Sequence, residues 1–165
     1  MSETTAKIDP RALRDCCGSF ATGVAVITTR TPEGAHGMTA NAFMSVSLDP
    51  PLISISLART SKMLEKVRAA QGYAVNILSR PMEAHAMHFA GRPDDSLASP
   101  FCTHGGMPVL KDAAAIMVAD LEKEVEAGDH VLMIGQVTHL ERDAAAEPLV
   151  FHGGRFGALA PGLPV

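Results

Sequence analysis

No run of basic residues interrupts this chain of 165 amino acids. With a formal net charge of −4 and a pI near 5.9, it lacks the basic face that nucleic-acid binding requires, which excludes nucleic acid as a partner. Nor does any stretch approach the roughly eighteen consecutive apolar residues of a membrane span, so no membrane partner is expected. Residues 1–10 carry Glu3, Lys7 and Asp9 where an export signal would be apolar, and a cytoplasmic location is predicted. Cysteine is scarce and odd in number: Cys16, Cys17 and Cys102. Adjacent cysteines seldom bridge each other, so no disulfide framework follows and a reducing compartment fits.

The common catalytic signatures are missing too. Gly18 and Gly23 frame a Gly-x4-Gly interval without the Lys-Ser/Thr of a nucleoside-triphosphate loop. No Gly-x-Gly-x-x-Gly follows a strand pattern, which removes support for a Rossmann domain, and there is no Gly-x-Ser-x-Gly nucleophile elbow. Cys-x-x-Cys and His-Glu-x-x-His are also absent, so no metal site is expected. His85 and His88 are three apart on one helix face, yet no third ligand is placed by any spacing; one is expected to pack and the other to be solvated. Chemistry in such a chain belongs to a bound cofactor more than to a protein nucleophile.

What is present is a globular composition, 47% hydrophobic and 19% charged, in a length that predicts one domain over 1–165 with frayed ends at 1–8 and 158–165. Residues 37–48 are the most informative stretch. Read as a single strand, they set Met38, Ala40, Ala42, Met44, Val46 and Leu48 on one apolar face. The opposite face, Gly37, Thr39, Asn41, Phe43, Ser45 and Ser47, carries no charge. A water-facing strand usually carries Lys, Glu or Arg, so small hydroxyls, an amide and a glycine suit the approach of a flat ligand. The same pattern fits a half-buried strand under a loop or at a subunit contact.

In chain order, Asp9 and Pro10 open a helix with a stripe of Leu13, Cys16, Cys17 and Phe20, ended by Gly23. Residues 24–29 and 37–48 form a hairpin-like pair of strands around the turn at 31–34, and Pro50-Pro51 separates these from a strand at 52–57. A helix follows from Arg59-Thr60-Ser61-Lys62 to about Ala70, then a strand at 73–78 and a short helix at 81–89. Residues 92–112, rich in Gly and Pro, predict an irregular excursion able to cover a site. A long hairpin at 116–140 turns at Ala127-Gly128, and 148–152 closes the sheet. Seven or so strands with three helices, in no alternating rhythm, predict a mostly antiparallel sheet or barrel with helices outside.

Two further clusters stand out. Arg59-Thr60-Ser61-Lys62, at a strand-to-helix junction, combines hydroxyls, free N–H groups and cations in the manner of a phosphate cradle, or of a plain N-cap with solvated charges. Gly128-Asp129-His130 places a histidine at a strand start, either against a ligand or at the surface.

Together, Phe20-Ala21-Thr22-Gly23-Val24, Gly37-Met38-Thr39-Ala40-Asn41-Ala42-Phe43, Ser45-Val46-Ser47-Leu48-Asp49-Pro50-Pro51, Ala74-Val75-Asn76-Ile77-Leu78 and Gly128-Asp129-His130 resemble the short-chain flavin reductases, over nearly the whole chain. The resemblance implies an FMN-binding split β-barrel, mainly β with peripheral helices, acting as a homodimer. It implies reduction of FMN or FAD by NADH or NADPH and delivery of reduced flavin to a partner monooxygenase. An oxidase or electron carrier that keeps its FMN, or a flavin-binding module without turnover, are the other readings. By the same resemblance Thr39, Ala40, Asn41 and Ala42 lie along the flavin ring, with Ser45 and Ser47 nearby, and Thr60, Ser61 and Lys62 receive its phosphate. Arg92 belongs to the cofactor-binding set. His130, the one candidate for a direct catalytic role, borders the nicotinamide side with Arg155 and Phe156. Ala42 stands where Ser is common in the family and Phe156 where many relatives have Tyr, so neither supplies a hydroxyl.

Overall fold

The structure, a computed structural model, describes residues 7–97 and 100–162. Of the frayed ends predicted at 1–8 and 158–165, residues 1–6 and 163–165 fall outside that range, and 7–8 and 158–162 have no helix or strand. Helix α1 (Pro10–Gly18) begins as expected, the Asp9 carboxylate accepting from the N–H groups of Arg11 and Ala12 at 3.2 and 3.4 Å. It ends at Gly18 and not at Gly23, and none of its residues is buried. Gly23 instead belongs to the short strand β1 (Thr22–Gly23).

Strands β2 (Ala25–Thr31), β3 (Gly34–Ala40), β4 (Phe43–Leu48) and β5 (Pro51–Ala58) lead to helix α2 (Lys62–Ala70). Ser61 caps that helix, its hydroxyl accepting from Met63 N–H, and Gln71 ends it in the left-handed region. Strand β6 (Gly72–Ile77) and a 3₁₀ turn (Arg80–Met82) precede helix α3 (Glu83–Phe89). Then come β7 (Phe101–His104), β8 (Met107–Leu110), β9 (Ala115–Ala127), β10 (His130–Arg142), β11 (Val150–His152) and β12 (Arg155–Gly157).

Seven strands form one antiparallel sheet in the order β3-β2-β6-β9-β10-β5-β4. Its two edge strands, β3 and β4, are consecutive in the chain and separated only by Asn41 and Ala42. A flat sheet of seven strands would be about 29 Å wide, whereas the chain from Ala40 to Phe43 reaches about 10 Å at most. The sheet therefore curls until its edges meet, and they meet without pairing. The result is a barrel open along one seam.

The stretch 37–48 is thus two strands and not one. Met38 and Ala40 pack on the interior, but beyond the crossover it is Phe43 that does so. Met44, Val46 and Leu48 point outward, 56%, 41% and 91% exposed. The two-residue crossover resets the alternation, and a bulge at Val46 interrupts the β4–β5 pairing between the Ser45–Ile53 and Ser47–Leu52 pairs.

Ile27, Ile53, Ile55, Leu57, Tyr73, Val75 and Met133 fill the barrel, and α2 plugs it with Met63, Leu64 and Val67. The outer face is covered twice. Helix α3 and the sheet β1-β11-β12 pack near Val24, Val26 and Leu78, while the ribbon β7-β8 lies over Ala74, Ile116 and Val118. Residues 148–152 therefore pair with β1 and β12 rather than closing the main sheet, because β2 and β6 need apolar cover on both faces. The excursion 92–112 contains this ribbon and is not wholly irregular. Gly105 and Gly106, at φ 53 and 77, make its turn. The ribbon covers β6 and β9, and among the described residues of the stretch Arg92 alone lines the candidate site.

Candidate active site

A cleft of about 580 Å³ opens beside the seam. The end of β3 supplies Thr39 and Ala40, followed by Asn41; α3 supplies Glu83 and Met87; Arg92 follows the helix; and Phe151, Gly154 and Phe156 come from β11, its turn and β12. A second hollow of about 280 Å³ shares Val24 and Asn41 with it and extends towards Phe20, Thr22 and Phe43. Five residues singled out in the sequence, Thr39, Ala40, Asn41, Arg92 and Phe156, converge here.

Thr39 is committed to the protein: its hydroxyl donates to the carbonyl of Ala86 at 2.7 Å and fixes α3 against β3. What this segment offers a ligand is backbone, since β3 is an edge strand whose seam side has no ladder partner. Phe151 and Phe156 stand 5.6 Å apart at 58° and form an aromatic wall. In the adjoining hollow the Thr22 hydroxyl is buried without a hydrogen-bond partner, a polar atom that a ligand edge would satisfy. Apolar walls, an aromatic pair, backbone donors and acceptors, and one unsatisfied hydroxyl suit a flat heteroaromatic ligand.

Arg59, Thr60, Ser61 and Lys62 do not line the cleft; they reach β3 at Met38, whose side chain packs into the barrel. Ser61 Oγ is 3.5 Å from Met38 Sδ, one residue before Thr39. Burial first, then the positive charges of Lys66 and Lys62, hold the His36 imidazole below its ordinary pKa. The segment is also tied to Gly128-Asp129-His130: Arg59 N–H donates to Asp129 O at 3.0 Å, and Arg59 Nε to Gly128 O at 2.9 Å. Two clusters about seventy residues apart in sequence thereby become one surface. His130 pairs with Ala58 and holds Asp129 through a 2.7 Å contact, which with the imidazole's charge keeps that carboxyl below its usual range.

Other singled-out residues do not line the cleft. Ser45 and Ser47 lie on β4, across the seam, and Ala42 is exposed in the crossover. Arg155 pairs with His152 and is exposed. His85 and His88 do not form a metal pair: His88 Nδ1 accepts from Asp94 N–H at 2.9 Å, while His85 Nδ1 is buried and unpartnered, not solvated. Burial, then the nearby His88 charge, lowers the His85 pKa. Glu83, Met87 and Phe151 were missed, although the i, i+4 spacing of the first two signals a shared helix face.

A barrel open along one seam, with a cleft beside it, is the split β-barrel of the flavin reductases. The chain belongs to the flavin reductase-like family: the model described as "Flavin reductase like domain" matches residues 17–160. An NADH-dependent flavin reductase of Rhodococcus sp is 39% identical over 96% of this chain and 94% of its own length. The reductase component of 4-hydroxyphenylacetate 3-monooxygenase from Thermus thermophilus is 35% identical over 85% of this chain and 90% of its own. A solved structure of the flavin reductase PheA2 in its native state superposes with a TM-score of 0.89 at 46% identity, covering 93% of this chain and 100% of that one.

Proposed function

We propose that this chain is an NADH-dependent flavin reductase that passes reduced flavin to a partner monooxygenase. The observation that carries this is the meeting of Thr39–Asn41, Arg92 and Phe156 in one cleft at the barrel seam. Flavin, when bound, supplies the hydride acceptor for the nicotinamide. The residues of the chain bind and align. The β3 edge and Asn41 would hold the ring's polar edge, Phe156 and Phe151 would flank it, and Thr60, Ser61 and Lys62 at the start of α2 would take the phosphate. His130, joined to that segment through Arg59, orders the nicotinamide side. No acid–base dyad is needed, because hydride transfer between stacked rings depends on alignment. The enzyme acts in the cytoplasm.

NADH oxidation assayed with and without added FMN, FAD or riboflavin tests this reading. Turnover that requires added flavin is the expected result. A yellow protein turning over without it overturns the diffusible-flavin reading, and flavin binding without oxidation overturns the enzyme. In the same assay Lys62→Glu raises the KM for FMN about tenfold or more and leaves that for riboflavin unchanged, since a charge-assisted hydrogen bond contributes roughly 1.5–3 kcal/mol.

The working form is a homodimer. Met44, Val46 and Leu48 expose an apolar strip on β4, and Leu13 and Phe20, 54% and 78% exposed, add to the uncovered apolar surface of a single chain. Light scattering is expected to give twice the 17.3 kDa chain mass, falling towards one chain mass in Leu48→Glu. A monomeric parent protein overturns this assignment.

A further inference from the structure

We propose that His104, His139 and Glu141 form a zinc site on the outer face of the barrel, away from the flavin cleft. His104 ends β7, immediately before the Gly105-Gly106 turn, and His139 and Glu141 lie two apart in β10 and so on the same face. His139 Nε2 is 3.0 Å from Glu141 Oε1, and His104 Nδ1 approaches the same oxygen more closely. One nitrogen from each imidazole and one carboxylate oxygen all lie within 4.8 Å of one another. The two rings are tilted at 46° with centroids 5.7 Å apart, so they converge instead of stacking.

The backbone makes the convergence possible. A Cβ on Gly105 would stand 3.2 Å from His139 Cβ, which shows how closely the ribbon's turn rests on β10. Two imidazole nitrogens and a carboxylate are the donor set of an open zinc site, with bonds of about 2.0–2.2 Å and a fourth position left for water. Ligand atoms around a tetrahedral ion at those bond lengths are about 3.3–3.6 Å apart, so the 3.0 Å His139–Glu141 contact opens by a few tenths of an ångström and the closer His104–Glu141 contact by more, a change of χ angles at half-exposed side chains. There is room for the fourth ligand: His104 and Glu141 also line a hollow of about 530 Å³, with Cys102, Asp112 and Asp143 on its walls. The side chains are 31%, 36% and 45% exposed, open enough for the ion to enter. The plainer account, a hydrogen-bonded trio pinning the ribbon, needs only one of the two histidines. Bound zinc joins the ribbon to the barrel wall and makes stability depend on the metal. None of the three residues lines the flavin cleft, so the site stands or falls independently of the proposed reductase activity.

The test is titration of chelator-treated protein with zinc sulfate by calorimetry, with cobalt(II) as spectroscopic probe. Cys16→Ser and Cys17→Ser are introduced first, because exposed free thiols are competing ligands for zinc. One ion per chain, a visible cobalt spectrum of a four-coordinate site, and a melting temperature that rises with zinc are expected. His139→Ala and His104→Ala each abolish one-to-one binding, and Glu141→Gln, nearly isosteric, weakens it at least about tenfold. His152→Ala, an exposed histidine elsewhere, changes nothing. No binding by the parent, or unchanged stoichiometry and affinity in both His104→Ala and Glu141→Gln, overturns the site.

Discussion

Asn41→Trp lowers flavin-dependent NADH oxidation at least about 100-fold, a loss near 2.7 kcal/mol, through weaker flavin binding. Asn41 lies on the wall common to both hollows and its side chain is exposed, so an indole there fills the space between Thr39 and Phe156. The backbone contact at this position, from Phe43 N–H to Asn41 O at 3.0 Å, survives any side-chain change. The melting temperature is therefore expected to stay within about 2 °C of the parent, as for other exposed substitutions. That separation makes the variant informative where Thr39 is not, because altering Thr39 also releases α3. Steady-state KM for flavin and thermal melting on the same preparation check both parts. Full activity in a folded Asn41→Trp protein would remove the cleft as the flavin site.

Asn76→Ala is expected to have the largest effect on stability, about 3 kcal/mol or more, because it strands buried polar partners at roughly 1–3 kcal/mol each. Asn76 is fully buried on β6 and donates through Nδ2 to Val26 O at 2.8 Å and Thr28 Oγ1 at 3.0 Å. Its Oδ1 accepts from Leu110 N–H at 2.7 Å. One side chain thus joins β2, β6 and the ribbon β7-β8. Domains of this size are stable by about 5–15 kcal/mol in total, so the urea midpoint should fall by a large fraction. A shift of less than about 1 kcal/mol would show that water replaces the lost partners.

The parts of the fold written in local chemistry were legible. Helix α2 announces itself through Ser61 at its start and Gln71-Gly72 at its end, and the β9-β10 hairpin through Ala127-Gly128. What local pattern hides is where a face turns over. Residues 37–48 alternate without a visible break, yet the crossover at Asn41-Ala42 reverses which side chains face the core. Met44, Val46 and Leu48 read as interior for that reason, and Ser45 and Ser47 were grouped with Thr39 although they lie across the seam. The ribbon β7-β8 was hidden differently. Pro108 and the glycine pair read as breakers, but in a two-stranded ribbon the glycines make the turn, and Pro108 contributes its carbonyl to the Thr28 hydroxyl. At the site, Thr39–Asn41 and Phe156 were accessible through family likeness. Their meeting with Glu83, Met87 and Phe151 depends mostly on contacts between residues from about forty to more than a hundred positions apart, which no spacing rule encodes.

The two-residue crossover between β3 and β4 also governs which changes of chain length the molecule tolerates. It spans the seam in two residues, so adding or deleting one residue there would rotate every side chain of β4 to the opposite face and shift Asn41 on the cleft wall. Residues 93–96, with no strand or helix to keep in register and outside the cleft lining, absorb such a change without reversing a face. Insertions and deletions are therefore expected to collect near 93–96 and to be excluded at 41–42, making the length of that crossover a more stringent mark of this architecture than the identity of the residues within it.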